Sequence, residues 1–234
     1  MRRAAVYCAI DRADRAAADS LARNVAAGVD GLKLGLEFFT ANGPTEVRAL
    51  QALGLPIFLD LKLHDIPNTV AGAVSAAGSL GVRYLTLHAG GGRAMLQAAV
   101  AAAAACPQPP TLLAITVLTS LDDADLAAQG VGRSAFDQVL AMADLALGCG
   151  VGGLVCSPLE VRALRERFGN TPALAVPGIR PAGDRADDQK RTMTPAEAQD
   201  AGADVLVIGR PISEAGNPGA AARAIAAELD RTAA

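Results

Sequence analysis

Eight short apolar runs, each followed by a segment of helical character, recur along the 234-residue chain, and this alternation constrains its fold more than any other feature. The runs are Ala4 to Ile10, Gly31 to Phe39, Ile57 to Leu63, Tyr84 to His88, Leu112 to Leu118, Gly153 to Cys156, Ala173 to Val176 and Val205 to Ile208. Helices are expected from Arg12 to Ala27, from Thr45 to Leu53 after the Asn42-Gly-Pro turn, and from Pro67 to Leu80. Further helices run through the alanine stretch ending at Ala105 and, after a short helical insertion, up to Leu147. Strand and helix in strict turn predict parallel β-α units, whose sheet either stays open and doubly wound or closes into a barrel. The length suits one barrel domain. With two Tyr, five Phe and no Trp, small and branched side chains must fill the core, as they do where helices pack closely on a parallel sheet.

The polar residues choose between the two architectures. Asp11, Asp60, Lys62, His88, Thr119, Ser157, Arg180 and Arg210 fall at or just past the C-terminal ends of different runs. A closed barrel gathers such positions around one mouth, where its active site lies. An open sheet would collect them at a single crevice, with a glycine-rich turn after its first strand; here that turn reads Asp11-Arg-Ala-Asp. The expectation is a single (β/α)8 barrel domain over residues 1–234.

Charge and cysteine usage remove several function classes. A net charge of -3 with scattered basic residues gives no electrostatic footprint for nucleic acid. Cys8, Cys106, Cys149 and Cys156 show no C-x-x-C spacing and no His cluster, which argues against zinc, a redox dithiol or a disulfide framework. Reduced thiols in the cytoplasm are the simplest reading. The run after Met-Arg-Arg stops at Asp11, too short for a signal core, and no stretch approaches the ~18 apolar residues of a membrane span.

Two stretches carry chemistry. In Phe58-Leu-Asp-Leu-Lys-Leu-His-Asp65, three charged residues interrupt a run that otherwise reads as a buried strand. Strand residues two apart share a face, so Asp60 and Lys62 are expected side by side, with Leu59, Leu61 and Leu63 packing behind them. A lone Asp-x-Lys would read as an ion pair at a strand end; Asp-x-Lys-x-x-Asp among apolar residues reads as a site. Lys33 stands inside the second run where a hydrophobe is expected. Near the C-terminus, Pro177-Gly-Ile-Arg180 and Val207-Ile-Gly-Arg-Pro211 place two arginines and Gly209 where barrels hold phosphate, against the plainer reading of a turn with surface arginines. The polar loop from Pro181 to Thr192 beside them is a candidate lid. His88 and His64 read as hydrogen-bonded packing residues.

These segments resemble one known family. Asp60-Leu-Lys-Leu-His-Asp-Ile-Pro-Asn-Thr69, with Leu32-Lys-Leu-Gly35, Leu118-Thr-Ser120, Pro177-Gly-Ile-Arg180, Asp188-Gln189 and Ile208-Gly-Arg-Pro211, is similar to the orotidine 5'-phosphate decarboxylases of the short bacterial type. The resemblance runs in order from Asp11 to Pro211. It implies a homodimeric barrel that converts orotidine 5'-phosphate to UMP and CO2 without metal or cofactor. By the same resemblance Lys62 donates the proton to C6, Asp60 lies beside the substrate carboxylate, and Lys33 bridges Asp60 and the ribose. Asp65 enters the neighbouring subunit's site and completes a Lys-Asp-Lys-Asp array. Asp11 matches a ribose contact, Thr119 meets the pyrimidine, and Thr69 joins the substrate contacts. Arg180, Gln189, Gly209 and Arg210 match the phosphate contacts, with Gln189 on the closing loop.

Three alternatives stay open on the sequence. A related barrel acting on sugar phosphates through a magnesium-bound enediolate shares Asp-x-Lys-x-x-Asp but carries a metal-binding Glu on strand two, where this chain has Lys33. A Schiff-base aldolase would need a free amine, and carboxylates beside Lys62 hold it charged. A non-catalytic sensor of phosphate ligands would have no use for the charged tetrad.

Overall fold

A computed structural model describes residues 3–181 and 192–233. Among these the strands are β1 (Ala5–Ala9), β2 (Gly31–Leu34), β3 (Ile57–Leu63), β4 (Tyr84–His88), β5 (Thr111–Ile115), β6 (Gly153–Val155), β7 (Ala173–Val176) and β8 (Val205–Ile208). Between them lie α1 (Arg15–Val25), α2 (Leu36–Gln51), α3 (Pro67–Gly78), α4 (Gly92–Ala104), α5 (Asp123–Ala128) and α6 (Ala135–Gly148). Then come α7 (Val161–Phe168), α8 (Pro195–Asp200), α9 (Arg210–Ser213) and α10 (Pro218–Ala233). Each strand pairs in parallel with the next, and β8 pairs with β1 through Ala5↔Val205 to Cys8↔Ile208, so the sheet closes into the expected (β/α)8 barrel.

Period two along the strands sorts side chains inward and outward. The inward set opens with a floor of Tyr7, Phe58 and Tyr84, whose ring centroids lie 5.6 to 6.1 Å apart, mostly edge to face. Leu113, Ala175 and Val205 complete that layer. The outward set, with Val6, Leu32, Leu59, Leu85, Leu154 and Leu206 fully buried, packs against the helices. Both tyrosines and one of the five phenylalanines are thus used where wide rings can plug the barrel. Gln199, in α8, locks the closure: its side chain accepts from Ala4 N–H at 2.9 Å and donates to Leu229 O at 3.1 Å and Thr232 Oγ1 at 2.7 Å.

The second run differs from its expected extent. β2 stops at Leu34, and Leu36 begins α2, so Phe38 and Phe39 are helical rather than extended. A continuous apolar run does not separate strand from helix by periodicity, and Gly35 supplies the break as the residue before the helix. The anticipated turn at Asn42-Gly-Pro appears as a kink within α2, where Gly43 has φ 67. β5 also ends early, at Ile115, and its remaining residues form the wall of the mouth.

Gly31 faces Tyr7 in register, and a Cβ there would sit 2.2 Å from Tyr7 Cε1. The floor therefore depends on that glycine. Gly31→Ala should destabilise the protein by about 1–3 kcal/mol through overpacking, read as a lower denaturant midpoint at unchanged m-value; an unaltered midpoint would show that the ring has room to move.

Candidate active site

Above the aromatic floor the inward positions of β2, β3 and β4 turn polar, while those of β5, β6 and β8 stay apolar. Lys33, two residues beyond Gly31, is buried, and its Nζ lies 2.8 Å from Asp11 Oδ1 at the end of β1. Gly35 makes room for this pair: a Cβ there would lie 3.0 Å from Lys33 Nζ and 3.1 Å from Asp11 Oδ1. On β3, Asp60 sits two residues beyond Phe58 and accepts from Lys62 Nζ at 2.7 Å. Lys33 thus pairs with Asp11, and the expected bridge from Lys33 to Asp60 is absent from the ion pairs among the described residues.

Asp60 and Lys62 meet by a route that simple alternation does not supply. β3 and β4 pair at Leu59↔Leu85 and next at Leu63↔Leu87, so four residues along β3 face two along β4. Within this bulge Lys62 has φ 50, a left-handed conformation that costs a non-glycine residue on the order of 1–2 kcal/mol. Bulges re-aim side chains next to active sites. This one is held by Thr86, buried on β4, whose Oγ1 accepts from Lys62 N–H at 2.9 Å and donates to Asp60 Oδ1 at 2.8 Å. Thr86 drew no notice in the sequence; its only signal there is a hydroxyl at an inward position of a strand.

The mouth divides into two depressions that share Pro177 and Val207 as walls. The smaller, of about 180 Å³, is lined by Asp60, Lys62 and Thr119, with Ile115, Val117 and Val155 as apolar walls. Cys156 also lines it, fully buried, and that burial pushes its thiol well up, so it presents a neutral wall and no nucleophile. The larger, of about 460 Å³, is lined by Asp11, Lys33, Arg180, Gly209 and Arg210. Arg180 follows β7 and is buried; its N–H donates to Met193 O at 3.0 Å, and Ile179 bridges Met193, so the two ends of the polar loop are joined. Gly209 precedes α9, with Arg210 as its first residue.

The sequence-predicted residues therefore fall into three groups. Asp11, Lys33, Asp60, Lys62, Thr119, Arg180, Gly209 and Arg210 surround one mouth. Asp65 and Thr69 stand apart, exposed around the start of α3, where Asp65 Oδ1 accepts from Ile66 N–H at 2.6 Å. Gln189 and the rest of the candidate lid lie outside the described residues. Among the described residues, no group of three or more His, Cys, Asp or Glu side chains could hold a metal ion, and no helix is long and apolar enough to cross a membrane.

His64 and His88 depart from the hydrogen-bonded reading. Their rings stack, with centroids 5.3 Å apart and planes at 24°, and neither ring forms a side-chain hydrogen bond to another described residue. Burial, then the charges of His64 and Lys62, lower the His88 pKa from its ordinary 6.5. The unfolded chain then binds a proton that the folded one refuses, so this stabilisation is present above 6.5 and is lost as pH falls through the folded value. Stability should therefore decline as pH falls below about 6.5, and less steeply in His88→Phe, which keeps a ring for His64 to stack on; identical slopes for the two proteins would discount His88.

The chain matches the Orotidine 5'-phosphate decarboxylase / HUMPS family over residues 5–225. An orotidine 5'-phosphate decarboxylase of Novosphingobium aromaticivorans is 55% identical over 224 residues, 96% of this chain and 98% of its own length. That of Paramagnetospirillum magneticum is 53% identical over 229 residues, 96% of this chain and 97% of its own. The crystal structure of orotidine 5'-phosphate decarboxylase from Lactobacillus acidophilus superposes with a TM-score of 0.85 at 36% identity, covering 98% of this chain and all of that one (100%).

Proposed function

The chain belongs to the Orotidine 5'-phosphate decarboxylase / HUMPS family and converts orotidine 5'-phosphate to UMP and CO2 in pyrimidine biosynthesis; we propose that Lys62 delivers the proton to C6 and that a second copy of the chain completes each site. One observation carries the role of Lys62. Its ammonium, about one-third exposed and held by Asp60 at 2.7 Å, borders the small depression whose other walls, Thr119 aside, are apolar or neutral.

Loss of CO2 from C6 leaves an electron pair in the plane of the pyrimidine ring, where the π system cannot spread it. Stabilisation must then come from a charge fixed close to that carbon. An ammonium anchored on a carboxylate supplies it without reorganising when the bond breaks, and can then transfer its proton to C6. The pyrimidine lies between Lys62 and Thr119 against Ile115, Val117 and Val155, with Asp60 beside the departing carboxylate. The ribose meets Asp11 and Lys33, and the phosphate meets Arg180, Gly209 and Arg210, with Gln189 as a further contact. These contacts are remote from the breaking bond, and the binding energy they provide can be used to order the charged groups around it.

Membership of the same family leaves room for magnesium-dependent sugar-phosphate chemistry. Lys33 opposes that reading, since an ammonium on strand two, salt-bridged to Asp11, repels a divalent ion where a carboxylate would bind it. The four cysteines are free thiols, which suits work in the cytoplasm. Purified protein should therefore consume orotidine 5'-phosphate, followed by absorbance, at an undiminished rate in EDTA. Strict dependence on added magnesium would transfer the assignment to the sugar-phosphate relatives. Lys62→Ala should lose at least the factor of about 10² to 10⁴ that a general acid contributes, and near-normal turnover would remove Lys62 from the mechanism.

The position of Asp65 supports a shared site. Its side chain is exposed next to Ile66, which is 68% exposed, and it makes no ion pair among the described residues of its own chain. In a two-fold dimer each contact is made twice, so Asp65 of one protomer serves Lys62 of the other. Mixing Lys62→Ala with Asp65→Ala protomers, with chain exchange verified, should restore roughly a quarter of wild-type activity, because half the dimers are mixed and hold one intact site each. No recovery would assign Asp65 to its own chain's site.

A further inference from the structure

Thr86 closes a ring of hydrogen bonds around the Asp60–Lys62 pair. Lys62 N–H donates to Thr86 Oγ1 at 2.9 Å, which commits an oxygen lone pair and leaves the hydroxyl proton to be directed elsewhere. That proton goes to Asp60 Oδ1 at 2.8 Å, while Asp60 Oδ2 accepts from Lys62 Nζ at 2.7 Å. One residue therefore binds the backbone of the lysine and the carboxylate that holds the same lysine's side chain.

The type of residue matters. An aspartate carboxylate rotates in a broad, two-fold torsion, so a single contact to Lys62 would not fix its plane. A β-branched threonine is stiff at χ1, and Thr86 is fully buried within β4, so its hydroxyl sits where the sheet puts it. The bulge of β3 and the left-handed backbone at Lys62 lie directly across from it.

We propose that Thr86 is a positioning residue for the decarboxylation, its hydroxyl fixing together the plane of the Asp60 carboxylate and the bulged backbone of Lys62, so that the ammonium is aimed in one direction. The inference rests on Lys62 as the proton donor. Thr86 touches neither the substrate nor the reacting atoms in this scheme; it acts through Asp60 and Lys62.

Replacing the hydroxyl by a methyl in Thr86→Val should lower kcat by about 10- to 100-fold, as expected for a lost hydrogen bond to a charged group. KM should stay within about threefold, as should the Kd for UMP, because the substrate contacts lie elsewhere. Thr86→Ser, which keeps the hydroxyl, should return kcat to within about threefold of wild type, and Thr86→Ala should match Thr86→Val. That comparison holds even if valine perturbs folding, since alanine and serine both fit the space. In an Asp60→Asn background, where the partner is already altered, Thr86→Ala should cost little more, because residues acting through one network are not additive. Equal kcat for Ala and Ser, a loss confined to KM, or full additivity with Asp60→Asn would each overturn the positioning role while leaving the decarboxylase assignment intact. A wild-type protein inactive on orotidine 5'-phosphate would overturn both.

Discussion

Closing eight parallel strands into a ring creates an interior that has to be filled, and the way it is filled governs the rest of this protein. At one level the inward positions carry Tyr7, Phe58 and Tyr84, wide enough for three rings and three small aliphatic residues to make a floor. Two residues further along β3 and β4 the inward positions carry Asp60 and Thr86, and on β2 Lys33 stands two beyond Gly31, the glycine that faces Tyr7. The period of the strand thus sets the height of the charged layer above the apolar one. A sheet left open would have offered the same residues no common centre.

Charged groups in such a mouth are stable only in partnership. Lys33 is almost entirely removed from water, and an unpaired ammonium there would carry the full desolvation cost. Asp11 answers it from the neighbouring strand, and Gly35 leaves the space in which the two meet. Lys62 is more exposed, so its pairing with Asp60 contributes less to stability and more to direction. The cost of its left-handed backbone makes the same point. Strain of this kind persists where the surroundings over-determine a geometry, and here the surroundings are Leu63↔Leu87 pairing beyond the bulge and the Thr86 hydroxyl within it.

The His64–His88 stack lies just beyond that pairing and extends the contact between β3 and β4 by one more residue. Two flat rings side by side suit a strand end where backbone pairing stops, and burial keeps the inner one neutral more readily than a free imidazole. The bulge and the stack thus occupy the same strand terminus. It is also the terminus that presents Lys62 to the apolar depression.

Much of this was determined by the sequence alone. Strand and helix in alternation, with polar residues at the strand ends, predicted the closed barrel, and the spacing Asp60-x-Lys62-x-x-Asp65 with Lys33, Arg180 and Arg210 located the mouth, because strand ends in a barrel converge whatever the loops do. Element boundaries were less legible: the apolar run from Gly31 continued through Phe39, and hydrophobicity does not distinguish the last residues of a strand from the first buried turn of a helix. What only the tertiary structure decided were the partnerships. Lys33 pairs with Asp11 rather than Asp60, Gly31 is required by Tyr7, far from it in sequence, and Thr86, an ordinary strand residue to the eye, holds both ends of the Asp60–Lys62 pair. Each of these depends on the register between neighbouring strands and on a bulge within one of them, and register is a property of two strands that neither strand's own sequence contains.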